Sequence, residues 1–410
     1  MNPFLGILLV FILLQGLAGV IDGIRYFRYI REHFKRPVED WMPFASVILP
    51  CKGLDYELEK NVKALLHQKY PDYEVIFVTA SANDSSVPLL RSLAAQVPHR
   101  KVKFVTAGVS EERGEKVHNL IQAAGKIAAE SAVYVFTDSD SRVPPHWLRH
   151  LVSPLRDEGV GACTGYRWFF PVRGNFASVM RSAWNGSIAT LLGDHKHNFA
   201  WGGSMAIRRT TFERTQVLRY WKRSISDDYS LTRALKTAGL KICYEPRCLV
   251  ASHGDCSWRE LLEWSTRQIL ITKIYSRRLW QLAFASQLPF LAGWWWGLGA
   301  LLLGFGGFRA ASMDRHGSAD GLWQLGVMVG LIYLFGALRG SWRLRAVNLI
   351  FRDQRHAVNR FWWGYVLVAP LVSTLTGYNL LVSLLTSTLE WRGVRYELRS
   401  EDEVRVVRSK

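Results

Sequence analysis

The sequence predicts an α/β fold, a doubly wound parallel sheet, carried together with transmembrane helices. Three observations predict it. Strand-like runs alternate with helix-like runs from Ala45 onward, the rhythm of a parallel sheet covered on both faces. Apolar stretches long enough to span a bilayer lie on either side of that region. Two carboxylates, Asp138 and Asp140, are released one residue apart behind the apolar run Val133–Phe136, at the sheet edge where such folds bind ligands.

The N-terminal stretch Phe4 to Ile21 carries no charge until Asp22. Arg25, Arg28, Arg31, Lys35 and Arg36 follow it rather than precede it, the reverse of a signal peptide. Residues 1–24 therefore read as a membrane anchor whose C-terminal end stays in the cytoplasm, and residues 25–44 as a basic linker with Pro37 and Pro43. Residues 45–281 read as a soluble domain. Ser46–Pro50 is a strand and Cys51–Gly53 its loop; Glu57–His67 is helical. Tyr73–Val78 is the next strand, running into Asn83 and Asp84, followed by a helix over Pro88–Ala95 and a strand over Val102–Val105. A helix over Lys116–Ala129 precedes the Asp138 strand. No GxGxxG follows any strand, which argues against a dinucleotide cofactor.

Alternation along extended chain puts Asp138 and Asp140 on one side, where they repel unless a cation joins them. Mg²⁺ or Mn²⁺ suits such oxygen donors; the alternative is an exposed acidic turn. Gly202 and Gly203 stand in a strand-like context, as a point of close backbone approach or as a plain turn. Asp227 and Asp228 open the helix Ser230–Ala238, as an N-cap or as a general base. His253, before the helix Trp258–Tyr275, is a metal or phosphate ligand or simply a packed side chain.

Residues 282–390 read as a membrane region of about three spans: Phe284–Phe308, Leu322–Leu338 and Phe361–Leu389, the last containing Pro370. Arg339–Arg360 should be cytoplasmic and the Arg309–Gly321 loop outside. A simple count then leaves the basic tail 391–410 outside, unless Pro370 breaks the last stretch into a hairpin. The composition agrees with a membrane protein: 49% of the 410 residues are hydrophobic and 17 are Trp. A net charge of +18 suits an anionic membrane surface or a phosphorylated substrate, and no nucleic-acid-binding signature is present. Cys51, Cys163, Cys243, Cys248 and Cys256 are odd in number and lack CxxC spacing, which fits a reducing compartment.

Taken in order, these motifs resemble the ceramide glucosyltransferases and their bacterial relatives, within the inverting nucleotide-sugar-dependent family that includes cellulose and chitin synthases. The family's three separated Asp positions fall on Asp84, Asp138 and Asp228. Its PxKG and Lys-x-x-Asn-Leu loops recur as Pro50-Cys51-Lys52-Gly53 and Lys116-Val117-His118-Asn119-Leu120, and Trp391-Arg392-Gly393-Val394-Arg395-Tyr396 closes the match. The resemblance implies a glycosyltransferase-A (nucleotide-diphospho-sugar transferase, Rossmann-like) domain that moves a hexose, glucose foremost, from a UDP-sugar to a membrane-lipid hydroxyl. It implies Asp228 as base, supported by Asp227 and Arg267. Pro50, Lys52, Asp84, Lys116, Asn119, Asp138, Gly202 and Gly203 would bind substrate, and Asp138, Asp140 and His253 a divalent metal. It also implies a multi-pass protein of the bacterial inner membrane with its catalytic domain in the cytoplasm. One motif departs: where the family reads (Q/R)xxRW, this chain keeps Arg267 but has Leu270-Ile271 in place of Arg-Trp. That departure argues against the alternative of a processive polysaccharide synthase, and the filled Asp positions argue against a catalytically dead scaffold.

Overall fold

The computed structural model describes residues 3–310 and 316–407, with side chains described outside 305–320. Seven strands form the main sheet: β1 (Ala45–Pro50), β2 (Tyr73–Thr79), β3 (Lys101–Thr106), β4 (Val133–Thr137), β5 (Val160–Phe170), β6 (Ser204–Arg208) and β7 (Lys241–His253). Their order is β3-β2-β1-β4-β6-β5-β7. β1, β2 and β4 are apolar along nearly their whole length because both faces are covered. Val47, Leu49, Val75, Phe77, Val133 and Val135 face one core, and Ile48, Ile76, Val78, Tyr134 and Phe136 the other. The expected all-parallel sheet needs one correction. β6 runs antiparallel to both β4 and β5. Antiparallel insertion puts the start of β6 beside the end of β4, pairing Ser204 with Thr137, so Gly202 and Gly203 arrive next to Asp138.

The helices differ from expectation at their ends, for local reasons. The helix after β3 spans Glu115–Ala124 and stops at Gly125 rather than reaching Ala129. The helix expected from Ser230 begins at Asp227, because Ser226 caps it by accepting from the Tyr229 N–H.

Two helices among the described residues are long and apolar enough to cross a bilayer, Pro3–His33 and Gly321–Ile350. The first continues through Arg25, Arg28 and Arg31, so residues 25–33 are helix rather than linker. Its end is pinned to β7 by His33 Nε2, 2.7 Å from the buried Glu245 Oε2. Gly16, Gly19 and Gly23 let it lie close against Phe335, Arg339 and Trp342. Arg343 of the expected cytoplasmic stretch is buried. Phe284–Phe308 falls within the helix Arg277–Ala310, and residues 311–315 of the expected outside loop lie outside the described residues.

Phe361–Leu389 is not one continuous span. A short helix, Trp362–Val366, runs beside the Gly321–Ile350 helix, with the Tyr365 carbonyl lodged against Gly340. The chain turns at Val368, and the helix Ala369–Leu385 returns, with Pro370 in its first turn. The expected basic tail is likewise a folded element. A second sheet of β8 (Thr388–Trp391), β9 (Val394–Ser400) and β10 (Glu403–Val407) packs over Ile225, Leu270 and Ile271. Arg233 pairs with Glu401 at 2.8 Å and with Asp402 at 2.9 Å, so this sheet lies on the same side as the main sheet. Pro370 thus stands at the start of the second of two helices that replace the single expected span. Single cysteines at the exposed positions Glu130 and Arg405, in a chain with its native cysteines replaced, should be protected together from an impermeant thiol reagent in intact cells. Labelling of one and not the other would place the two sheets on opposite sides.

Candidate active site

The ends of β1, β4 and β5 and the turn before β6 meet at one edge of the sheet, where they line a cavity of about 330 Å³. Pro50, Lys52, Lys116, Asn119, Asp138, Asp140, Asp227, Asp228 and Arg267 all line it, so most of the residues singled out from sequence converge. Two cations hold the carboxylates together. Lys116 Nζ lies 2.8 Å from Asp138 Oδ1 and 3.2 Å from Asp227 Oδ2. The Arg167 guanidinium bridges the other pair, 2.9 Å from Asp138 Oδ2 and 2.9 Å from Asp140 Oδ2.

The environments separate these acids. Burial alone would raise Asp138, but Lys116 and Arg167 overcome it and hold the carboxyl below its usual range. Asp140 is raised by burial, which Arg167 opposes and the neighbouring Asp138 reinforces. Asp227 is pushed up to about 6, chiefly by burial; Lys116 opposes the shift while Asp228 and Asp138 add to it. Asp228 is less enclosed and firmly aimed. Its Oδ1 accepts from the Ser226 hydroxyl and from the Tyr229 N–H at 2.7 Å, and its Oδ2 from the Gly202 N–H at 3.2 Å. Arg267 is lowered to about 10 by burial and by Arg167 and Arg392, and remains a cation at neutral pH.

Gly202 and Gly203 form a turn that is also a close approach. A Cβ on Gly202 would collide with Asp227 and lie 2.7 Å from Lys116 Nζ, and one on Gly203 would lie 2.6 Å from Asp138 Oδ2. Asp84 does not line the cavity. It accepts from the Gly53 N–H at 3.0 Å and the Ser86 hydroxyl at 2.6 Å, and so fixes the loop carrying Lys52. His253 is not brought to the carboxylates either. Its ring stacks on Phe170 with centroids 5.0 Å apart, and burial lowers its pKa to about 4, the ordinary condition of a packed histidine.

Among the described residues, no group of three or more His, Cys, Asp or Glu is arranged to hold a metal ion. Asp138 and Asp140 nevertheless converge on one positive charge, the Arg167 guanidinium. The pair therefore offers the oxygen donors a divalent cation takes, at a point where the Arg167 guanidinium sits. Arg167 was readable in principle as the one charge in the eleven-residue strand Val160–Phe170. Trp391, Arg392 and Tyr396 also line the cavity, from the C-terminal sheet.

Comparison with known proteins decides the family. The profile of Glycosyl transferase family 21 matches residues 10–404. The chain belongs to that family. It is 22% identical over 220 residues to ceramide glucosyltransferase 1 of Caenorhabditis elegans, covering 53% of this chain and 47% of that one. It is 26% identical over 212 residues to the beta-monoglucosyldiacylglycerol synthase of Nostoc sp., covering 49% and 42%. The chain thus spans about half the length of these relatives. Among solved structures, a mannosyltransferase of Pyrobaculum calidifontis, in complex with GDP-Man and Mn²⁺, matches 85% of this chain and 99% of its own. Its TM-score is 0.50 at 16% identity, which establishes the glycosyltransferase-A fold.

The raised Asp227 carboxyl has a consequence for the protein's stability. Its folded value, about 6, lies above the ordinary 3.8, so the folded state holds the proton more tightly than the unfolded one. The contribution is fully present below about pH 4, is lost as pH rises towards 6, and is constant above. Asp227→Asn should flatten the melting temperature across that window, though Asp140 keeps a slope of the same sign. An undiminished slope in Asp227→Asn would show that Asp227 does not titrate there.

Proposed function

We propose that this transferase moves a hexose, glucose foremost, from a UDP-sugar to a hydroxyl of a membrane lipid such as ceramide or a diacylglycerol. One observation carries the reading: a single cavity joins the carboxylates of the sheet edge to an apolar, largely aromatic wall contributed by β5 and the helices Phe176–Ala189 and Trp258–Tyr275. That wall contains Phe169, Trp184, Ile188 and Trp264. Trp184 Nε1 donates to Thr376 Oγ1 at 3.0 Å, and Thr266 donates to Asn379 Oδ1 at 2.8 Å, so the helix Ala369–Leu385 supports it. A polar donor and an apolar acceptor could meet there. The relatives named for glucosylating ceramide and diacylglycerol support lipid acceptors, and the Pyrobaculum structure supports a nucleotide-sugar donor.

In this reading Lys52, Lys116 and Arg167 face the donor diphosphate, with Asp84 holding the Pro50–Gly53 loop under the nucleoside. Mg²⁺ or Mn²⁺ held by Asp138 and Asp140 would supply Lewis-acid stabilisation of the leaving diphosphate. Asp228 Oδ takes the proton of the acceptor hydroxyl as its oxygen bonds to the anomeric carbon and the bond to the diphosphate breaks. Direct displacement inverts that carbon. Asp227 and Lys116 keep the neighbouring charge balanced, and Arg267 adds a cation on the membrane side. A processive synthase is disfavoured because Leu270 packs in the apolar cluster under the C-terminal sheet instead of presenting an arginine to the cavity.

The membrane arrangement follows the same logic. Residues 1–24 would anchor the chain and residues 45–281 would catalyse in the cytoplasm, where nucleotide sugars are found. Helices within 282–390 would complete a multi-pass protein of the bacterial inner membrane, with Arg25 to Arg36 holding the domain on the cytoplasmic side.

Purified variants in detergent, supplied with UDP-glucose and either ceramide or diacylglycerol, test the chemistry. Asp228→Asn should lower turnover by about 10²- to 10⁴-fold with folding and UDP binding retained. An active Asp228→Asn enzyme would move the base elsewhere. Excess EDTA should abolish transfer and Mn²⁺ restore it; full activity in EDTA would remove the metal from the reading.

A further inference from the structure

The C-terminal hairpin carries one residue in an unusual backbone state. β8 and β9 are joined through Arg392, with φ +49°, and Gly393, with φ +77°. Two successive positive φ values are those of a tight hairpin turn whose first position favours Asn, Asp or Gly. Arg is a poor choice there, since an L side chain rarely adopts this conformation. The side chain explains the choice. Arg392 Nη2 grips both oxygens of Asp55, at 2.8 and 3.1 Å, and Nη1 donates to the Lys52 carbonyl at 2.8 Å.

Asp55 passes the contact on. Its Oδ2 accepts from Ser139 Oγ at 2.5 Å, and Ser139 is the buried residue between Asp138 and Asp140. A continuous hydrogen-bonded path therefore runs from the last folded element of the chain to the turn that presents both carboxylates. Next to Arg392, Trp391 lies under the Arg267 guanidinium, 4.9 Å from cation to ring centroid, which steadies the hairpin at the cavity mouth.

We propose that Arg392 is a positioning residue of the transfer reaction: delivered by the C-terminal hairpin, it fixes, through Asp55 and Ser139, the turn carrying Asp138 and Asp140. The strained arginine is retained because its guanidinium, and not its backbone, is needed there. The proposal rests on the donor-site reading given above.

The decisive variant is Arg392→Asn, because Asn suits the turn better than Arg. A structural role predicts a less stable protein; a positioning role predicts a stable, impaired one. In the full-length protein, Arg392→Asn should melt at or above the parent temperature. UDP affinity with Mn²⁺, by calorimetry, and kcat/KM for UDP-glucose should fall about 10- to 100-fold, with KM for the lipid acceptor unchanged. Adding Ser139→Ala to Arg392→Asn should cost little more, because both break one path. Parent-like UDP binding in Arg392→Asn, a lowered melting temperature, or losses that multiply in the double variant would overturn the proposal. Failure of the donor-site reading would look different: the parent itself would not bind UDP.

Discussion

The site depends on keeping four carboxylates together in a partly closed cavity. Asp138, Asp140, Asp227 and Asp228 could not share that space as bare anions, since each buried charge needs a partner. Lys116, from the helix after β3, and Arg167, from β5, provide it for Asp138, Asp140 and Asp227, while Asp228 is held by the Ser226 hydroxyl and the Tyr229 and Gly202 N–H groups. Much of the architecture follows from bringing those two cations in. β5 must present an arginine at the sheet edge, and the Glu115–Ala124 helix must point its first turn at β4. The backbone before β6 must be glycine, because Lys116, Asp138 and Asp227 occupy the space a side chain would need.

The same arrangement gives neighbouring acids different characters. Asp138 is held ionised by two cations, whereas Asp227, more deeply buried, keeps its proton to higher pH. Asp228 is aimed by the helix start: Ser226 takes the capping position, and that frees Asp228 to turn one oxygen to Gly202 and the other to Ser226 and Tyr229. Ser226 holds the N-cap position and Asp228 Oδ1 shares the Tyr229 N–H with it, so the helix start orients the Asp228 carboxylate.

What could be read from the sequence was what periodicity and local chemistry encode. β1, β2 and β4 are apolar runs buried on both faces, and the acidic pair follows β4 directly. The antiparallel course of β6 was not legible, because a five-residue strand carries no sign of its direction. The C-terminal sheet left a trace that charge obscured: Val394, Tyr396 and Leu398 alternate with Arg395, Glu397 and Arg399, the pattern of a half-buried strand. Tyr396 and Leu398 are in fact buried, over Ile225, Leu270 and Ile271. His253 shows the opposite error, since a lone histidine near a motif carries no information about its partners, and here the partner is Phe170.

The packing of that sheet also gives a physical reason for the departure at positions 270–271. Leu270 and Ile271 are apolar because the helix Trp258–Tyr275 uses that turn to seat β8–β10. The aromatic partner of Arg267 comes instead from the seated hairpin, as Trp391. Only two residues separate the helix Ala369–Leu385 from β8, and that helix braces the aromatic wall through Thr376 and Asn379. One short piece of chain therefore holds the aromatic wall at one end and Arg392 at the other.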